Sequence, residues 1–287
     1  MAAFHPDWLR PDWPAPVQVH ALCTTRAGGH SRAPFDALNL GDHVGDDPRA
    51  VQGNRRVLQE ALQQATPGAR AIFLQQVHGT QVVALRPDLA DGSVADACVT
   101  TTPGLACTIM VADCLPLLLT NLQGTAVAAA HAGWRGLAGA GGWGVIETVF
   151  KIFSAQTLSH QAQAAINSIA PSGLSETDSC HVASQTLAWL GPCIGPQAFE
   201  VGSEVRDAFC AHDAAAAQHF SEHAPGKFLA NLAALARQRL QALGIAQVYG
   251  NDGSPGWCTV SQPSRFFSHR RDHVSGRMAV AIWRSAA

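Results

Sequence analysis

The chain has 287 residues, of which 47% are hydrophobic and 14% are charged, and its formal net charge is -2. Such a chain can bury a substantial core, and its low charge excludes disorder driven by charge repulsion. The sequence has no basic stripe for nucleic-acid phosphates, no apolar run long enough to span a membrane and no signal-peptide pattern. We therefore expect a cytoplasmic protein without a nucleic-acid or membrane partner.

Apolar runs predict that the first half of the chain is rich in strands. The predicted strands are Val17 to Thr25, Ala71 to Gln76, Gln81 to Leu85, Ala95 to Thr100, Leu105 to Ala112, Leu115 to Thr120 and Thr125 to His131. One helix is predicted among them, because Asp47 can cap a helix whose first residue is Pro48. Apolar residues at roughly helical spacing, including Leu58 and Leu62, support this helix.

The second half mixes helices and strands. The glycine-rich stretch Gly133 to Gly144 is predicted to lead into a helix from about Val145 to Phe153. Ser154 to Thr186 is weakly patterned and is interpreted as an insertion or mobile loop. The remaining elements are predicted helices over Val205 to Phe209 and Leu229 to Leu243, and strands over Leu187 to Leu190, Val248 to Gly250 and Val280 to Trp283. This order, without strict βαβ alternation, indicates an α/β fold with a mixed sheet.

Eight cysteines are scattered along the chain without any Cys-x-x-Cys pair. Their spacing favours reduced thiols in a cytoplasm over a disulfide framework. It also argues against a four-cysteine zinc finger and a thioredoxin-type site.

Three short segments place a metal-ligating side chain among small residues: His78, Cys114 and His131. The two histidines lie at predicted strand ends and Cys114 lies between two predicted strands, where a rigid scaffold commonly presents a site. Three such ligands would hold zinc and leave a fourth position open for water or substrate, as in catalytic zinc sites. The ordinary alternative is hydrogen-bonded histidines and a packed thiol. Spacing alone leaves both interpretations open.

Two neighbours of these ligands also have two interpretations. Asp113 is either a carboxylate that orients a ligand or handles a proton, or the cap of a turn. Arg135 is either a cation that holds an anion near the metal, or a surface residue whose stem lies on Trp134.

Longer motifs accompany the three segments. They are Asn39-Leu40-Gly41, His43 to Pro48, Leu190 to Pro196, Phe199 to Gly202 and Phe266 to Asp272. Together they resemble the YfiH/laccase-domain family, whose members are described as multicopper polyphenol oxidases, peptidoglycan editing factors and laccase-domain purine nucleoside phosphorylases. The resemblance runs from about Val19 to Trp283. The chain departs from the family at His269, where an aromatic tyrosine is common.

The resemblance implies one domain over residues 1–287, layered α/β/α with a mixed sheet, with an insertion at about 154–186. It implies a metal on His78, Cys114 and His131, usually zinc, with copper as the alternative. It also implies phosphorolysis of adenosine, inosine and S-methyl-5′-thioadenosine, together with adenosine deamination. Asp113, Cys114 and Arg135 are the candidate catalytic residues.

Phosphate would be held by arginines, because guanidinium forks fit its oxygens bidentately. The candidates are Arg26, Arg55, Arg135, Arg270 and Arg271, and motif membership favours Arg135 and Arg270. Asn39 and Ser268 are candidate hydrogen-bond partners for ribose or base. For deamination, a zinc-bound water would attack the purine ring, with Asp113 or Glu200 carrying the proton.

Three other functions compete with this one. A copper polyphenol oxidase would need several copper centres, and the sequence shows one three-ligand site. A cysteine hydrolase or amidase for peptidoglycan precursor editing would use Cys114 as nucleophile and His131 or His78 as base. In a non-catalytic module the metal would only fix the fold. The expected partners are nucleoside and phosphate, and the expected assembly is a monomer or weak homo-oligomer.

Overall fold

The structure is a computed structural model that describes residues 4–165 and 176–286. Its strands are β1 (Val19–Cys23), β2 (Arg70–Gln75), β3 (Val82–Ala84), β4 (Ser93–Val94), β5 (Ala97–Thr100), β6 (Leu105–Val111), β7 (Leu115–Asn121), β8 (Val127–Ala132), β9 (Thr186–Leu190), β10 (Glu200–Gly202), β11 (Phe220–Ala224), β12 (Lys227–Ala230), β13 (Gln247–Gly250) and β14 (Met278–Arg284). Its α-helices are α1 (Pro48–Ala65), α2 (Trp134–Ala138), α3 (Val145–Ala165), α4 (Glu176–Ser184), α5 (Ser203–Cys210), α6 (Leu232–Ala242) and α7 (His269–Asp272). Among these helices none is long and apolar enough to cross a membrane.

The strands form three sheets. A five-stranded sheet has the order β1-β14-β6-β2-β4, in which β1, β14 and β6 are antiparallel and β2 is parallel to β6 and β4. A six-stranded sheet has the order β13-β9-β7-β8-β5-β3, antiparallel in the middle and parallel at both edges. A small antiparallel sheet has the order β10-β12-β11.

The two larger sheets stack on each other. Cys107 and Ile109 of β6 share one apolar cluster with Val127 and Ala129 of β8. Because side chains alternate along a strand, the neighbouring β6 residues point the other way, into a cluster with Leu58 of α1. Helix α3 packs on the opposite face of the six-stranded sheet. The layers are therefore helix, sheet, sheet and helix.

This architecture confirms the α/β class with mixed sheets. The single sheet expected in an α/β/α layering is replaced by two stacked sheets. β6 and β7 are buried along their whole length, because a second sheet covers one face and helices cover the other. The expected single-domain organisation stays a prediction.

Three predicted boundaries are wrong in part. The helix expected to end at Phe153 continues to Ala165, and α4 begins at Glu176, so the described parts of the 154–186 stretch are mostly helical. The rest of that predicted loop, 166–175, lies outside the described residues. The helix expected from Leu229 begins at Leu232 instead, because the Asn231 side chain accepts from the Ala234 N–H at 3.0 Å and caps it there.

Candidate functional site

A cavity of about 350 Å³ lies at one edge of the two stacked sheets. The chain reaches this edge from the carboxyl ends of β2, β6 and β8. Its lining consists of His43, Gln76, His78, Met110, Ala112, Asp113, Cys114, His131, Trp134, Ile194, Phe199, Leu232, His269, Arg270 and Arg277. The edge thus collects residues from distant parts of the sequence, as the carboxyl ends of parallel strands commonly do.

The three predicted metal ligands meet in this cavity. The ligand atoms of His78, Cys114 and His131 all lie within 4.8 Å of one another. The two imidazole rings are 4.8 Å apart between centroids and meet edge to face at 75°. His131 is buried, Cys114 is partly buried and His78 is exposed at the cavity mouth. The arrangement leaves one side of the cluster open to the cavity.

A buried carboxylate, that of Asp96, organises two of the three ligands. Its oxygens accept hydrogen bonds from the backbone N–H groups of Val77, His78 and Gly79 at 3.2, 2.8 and 2.7 Å. These bonds hold His78 at φ 60°, a left-handed conformation that is unfavourable for a histidine. Asp96 therefore fixes the loop that presents the first ligand.

The same carboxylate orients the third ligand. His131 Nδ1 lies 2.9 Å from Asp96 Oδ1. A proton on Nδ1 leaves the lone pair on Nε2, as metal-binding histidines require. Burial alone would raise the pKa of the Asp96 carboxyl. The hydrogen bonds from His131 and from the 77–79 loop outweigh burial, so the pKa lies below its ordinary value and the carboxyl stays ionised.

Cys114 is held as a thiolate beside the histidines. Burial raises the pKa of its thiol, but the charge of His131 and hydrogen bonds from His131 and His78 outweigh burial and lower it to about 6. For the His131 imidazole, burial lowers the pKa. Its interactions with Cys114 and Asp96 outweigh burial and raise the pKa to about 9. Without a metal, the two side chains form a thiolate–imidazolium pair at neutral pH.

This donor set fits zinc. Two imidazole nitrogens and one thiolate are ligands that zinc accepts, and three protein ligands leave a coordination position facing the cavity. The chain also leaves space for the three ligands to converge, because Gly133 has no side chain. A Cβ at position 133 would lie 3.0 Å from Cys114 Sγ and 3.0 Å from His78 Cδ2.

We expect Gly133→Ala to weaken metal binding while leaving the fold intact. The backbone φ of -65° at this position suits alanine, so the cost arises from the methyl group pushing Cys114 and His78 apart. Zinc affinity, measured by competition with a chelating indicator, should fall on the order of 10-fold. Gly256→Ala is the matched control, because no atom lies within 4 Å of a Cβ there. Equal zinc affinity in both variants would contradict the expectation.

In metal-free protein we expect iodoacetamide to alkylate Cys114 readily at pH 7. The thiolate is the reactive form, so the rate should rise with pH through a midpoint near 6 and then level off. Peptide mapping by mass spectrometry would follow the reaction, and added zinc should suppress it. A rate still rising at pH 9 would show that the histidines do not stabilise the thiolate.

Asp113 and Arg270, two of the predicted residues, line the cavity together. Asp113 has φ 89°, and its carboxylate accepts from the Thr259 hydroxyl at 2.6 Å and from the Arg270 N–H at 2.7 Å. The Arg270 guanidinium donates to the Glu200 carbonyl oxygen at 3.0 Å and lies over the Phe199 ring. Asp113 therefore connects the Cys114 segment to the start of α7.

Several predicted arginines lie outside the cavity lining. Arg26 pairs with Asp36 at 3.1 Å, and Arg55 pairs with Asp42 at 3.1 Å. Arg135 is exposed and lies 4.4 Å from the Trp134 ring centroid, as its surface interpretation expected. The Arg271 guanidinium donates to backbone carbonyl oxygens of the segment that precedes α7 and to the neighbouring acid; those partners are Thr259, Val260, Phe266 and Asp272.

The other predicted substrate contacts are engaged within the protein. Asn39 is fully buried, and its amide group bonds to Gly41, to Asp46 and to the Arg277 N–H. Ser268 is buried and caps α7. The Glu200 side chain is exposed and lies 3.8 Å from His223. These side chains do not line the cavity in the part of the chain that the structure describes.

Sequence reasoning did not single out Asp96, Gln76 or Arg277. Asp96 had a usable signal, because a carboxylate inside an apolar strand run requires buried partners. Gln76 exchanges two hydrogen bonds with the backbone of Met110, at 2.8 and 2.7 Å, and so ties β2 to β6. Arg277 directly precedes β14 and belongs to no motif that would indicate a function.

Fold and site together define a mixed α/β protein with a candidate metal centre in a cavity at the sheet edge. The sequence matches the family described as multi-copper polyphenol oxidoreductase laccase over residues 20–172 and 163–285, and the chain belongs to that family. This agrees with the resemblance drawn from its motifs.

Relatives and solved structures cover nearly the whole chain. A purine nucleoside phosphorylase of Pseudomonas aeruginosa is 48% identical over 277 residues, which are 96% of this chain and 98% of that protein. Purine nucleoside phosphorylase YfiH of Escherichia coli is 44% identical, and the match covers 95% of this chain and 97% of that protein. A Neisseria meningitidis crystal structure superposes with TM-score 0.77 at 41% identity, covering 98% of this chain and 100% of that one. YlmD from Geobacillus stearothermophilus gives TM-score 0.75 at 29% identity, covering 99% of this chain and 98% of that one.

Proposed function

We propose that the chain is a zinc-dependent purine nucleoside phosphorylase acting on adenosine, inosine and S-methyl-5′-thioadenosine, with adenosine deaminase activity in addition. The observation that carries the proposal is the convergence of His78, Cys114 and His131 in one cavity with arginine on its wall. The names of the two bacterial relatives, both purine nucleoside phosphorylases, support the same reaction class.

The cavity offers the contacts that a nucleoside and phosphate need. Trp134 and Phe199 supply aromatic surface for a purine ring, and Arg270 supplies a guanidinium for an anion. Zinc, when bound by the three ligands, supplies a Lewis acid or an activated water. Asp113 is the carboxylate beside Cys114, and its two hydrogen bonds hold it in place. The partly apolar lining, which includes Met110, Ile194 and Leu232, limits competing hydrolysis by water.

Deamination uses the same site in this proposal. A metal held by His78, Cys114 and His131 would supply an activated water, and a nearby group would have to move a proton to the leaving amine. Of the two predicted carriers, Asp113 lines the cavity and Glu200 does not. The geometry therefore favours Asp113 over Glu200 for this role.

A cysteine hydrolase acting on peptidoglycan precursors is the second candidate. The specific observation in its favour is the row Cys114, His131 and Asp96, in which a thiol, an imidazole and a carboxylate contact in series. This order matches the nucleophile, base and orienting acid of hydrolytic triads. The reaction would require the metal-free protein, so amidase activity that zinc abolishes would favour it.

A copper polyphenol oxidase is the third candidate, and the family description supports it. Among the described residues, one cluster of three histidine, cysteine or acidic ligands is present. Metal analysis and oxygen uptake on a phenol test this function directly. The zinc-dependent proposal expects one zinc per chain and no oxygen uptake.

The decisive experiment is product analysis of adenosine with and without inorganic phosphate. Phosphorolysis predicts adenine and ribose 1-phosphate only when phosphate is present, and deamination predicts inosine in both cases. Inosine as substrate isolates the first reaction, because it has no amine to lose. Absence of free base from either nucleoside at saturating phosphate would contradict the phosphorylase proposal. Location in the cytoplasm and the monomeric or weakly associating state remain predictions.

A further inference from the structure

Two arginines, Arg270 and Arg277, line the cavity with guanidinium groups that form no ion pair with a described carboxylate. The Arg270 guanidinium is bonded to the carbonyl oxygen of Glu200, and Arg277 Nη1 is bonded to the carbonyl oxygens of Ser275 and Gly276 at 2.8 and 3.1 Å. Within 4.0 Å neither guanidinium meets an Asp or Glu oxygen in the described ranges, whereas Arg26 and Arg55 each do. Each guanidinium thus lies in the cavity without a direct ion pair to a carboxylate of the described residues.

The chain is built to hold Arg277 in this position. Its backbone N–H donates to Asn39 Oδ1 at 2.9 Å, and its carbonyl oxygen accepts from Leu40 N at 3.0 Å. Gly41 leaves room for the side chain, because a Cβ there would lie 2.8 Å from Arg277 Cγ. The motif Asn39-Leu40-Gly41 therefore positions the arginine.

The acidic groups nearby are already committed. Asp113 accepts from Thr259 and from the Arg270 N–H, and the Cys114 thiolate faces the two histidines. Burial lowers the pKa of Arg277, and the charges of Cys114 and Asp113 partly oppose this effect. The Arg277 guanidinium is thus partly desolvated and has no carboxylate in direct contact among the described residues, so an added anion can supply the missing partner.

We propose that Arg277 and Arg270 form the subsite for the phosphate dianion that attacks the nucleoside. This inference rests on the proposed phosphorolysis. A phosphate oxygen forms the bond to C1′ as the bond from C1′ to the purine nitrogen breaks. The purine leaves with the electron pair and takes up the proton that the hydrogenphosphate carried, so the products are ribose 1-phosphate and the free base. The two guanidinium groups hold the remaining phosphate oxygens.

Kinetics of Arg277→Gln test the subsite. The KM for phosphate should rise about 10- to 100-fold, as expected when a charged hydrogen-bonding group is lost, while the KM for inosine changes little. Arg277→Lys keeps the charge without the fork and should give an intermediate KM. Arg86→Gln, which removes a charge from a surface ion pair with Asp88, controls for the change in net charge. An unchanged KM for phosphate in a folded Arg277→Gln would overturn the assignment.

A binding measurement separates this proposal from the function itself. Phenylglyoxal modifies arginines, and mass spectrometry of zinc-loaded wild type would show whether inorganic phosphate protects Arg277 and Arg270. Protection without turnover would support the subsite even if phosphorolysis failed. Protection by adenosine 5′-monophosphate but not by inorganic phosphate would assign the pair to a nucleotide and overturn the proposal. No protection by either would overturn it as well.

Discussion

Cys114→Ser is expected to abolish zinc binding and reduce nucleoside phosphorolysis by about 10³-fold or more, the effect of losing several kcal/mol of metal-ion catalysis. The serine hydroxyl nearly matches the thiol in shape, but it is not ionised at neutral pH and is a poor zinc ligand. His78 and His131 then remain as two neutral ligands, too few for a catalytic zinc site. Metal content per chain and phosphate-dependent release of hypoxanthine from inosine would measure the two losses.

Cys180→Ser is the control, because it makes the same change on an exposed thiol of α4. Its metal content and activity should match wild type, and circular dichroism should show all three proteins folded. If Cys114→Ser kept full phosphorolysis, the three-ligand centre would not be the catalytic site. If it kept zinc but lost activity, Cys114 would act chemically rather than as a ligand.

Asp96→Asn is expected to reduce zinc affinity about 10- to 100-fold, the usual cost of losing the group that orients a metal ligand. Asp96 accepts four hydrogen bonds, from three backbone N–H groups and from His131 Nδ1. Each Asp96 oxygen accepts two of these bonds. The asparagine amide has only one oxygen, so its NH₂ group would face the two donors of the lost oxygen. The 77–79 loop or the His131 ring then loses its partner.

The same substitution should lower the free energy of unfolding of the metal-free protein, by about 1 to 3 kcal/mol for each buried donor left without a partner. Urea titration would measure this loss, and chelator competition would measure the zinc affinity. Asp91→Asn is the matched control, because that carboxylate accepts one bond, from Phe73 N at 2.9 Å, which asparagine can keep. Reduced stability with full zinc affinity in Asp96→Asn would limit Asp96 to a structural role.

The strands and metal ligands that the sequence predicted were visible in short local patterns of apolar and small residues. β6, β7 and β8 are short apolar runs, and each is buried along its length. His78, Cys114 and His131 interrupt or end such runs beside small residues, so their positions were visible one segment at a time. Their meeting point depends on the stacking of two sheets, which the sequence did not show.

The arginines were harder to predict for a physical reason. A guanidinium reaches several ångströms from its backbone, and its partner is set by tertiary structure rather than by the local pattern. Arg26 Nη1 donates to the carbonyl oxygen of Pro263, which is far away in the sequence. Helix α3 was cut short in the prediction because residues 154–165 lack apolar periodicity, although alanine and glutamine there favour a helix.

The stacking of the two sheets has a consequence for how the site is assembled during synthesis. The chain crosses from the five-stranded to the six-stranded sheet three times, after β2, β4 and β6, and those crossings carry His78, Asp96 and Cys114. β14 lies between β1 and β6, so the five-stranded sheet is completed only after residue 284 has left the ribosome. A nascent chain that already contains every ligand therefore still has an unpaired edge on β6, and we expect stable metal capture only after β14 has filled that edge.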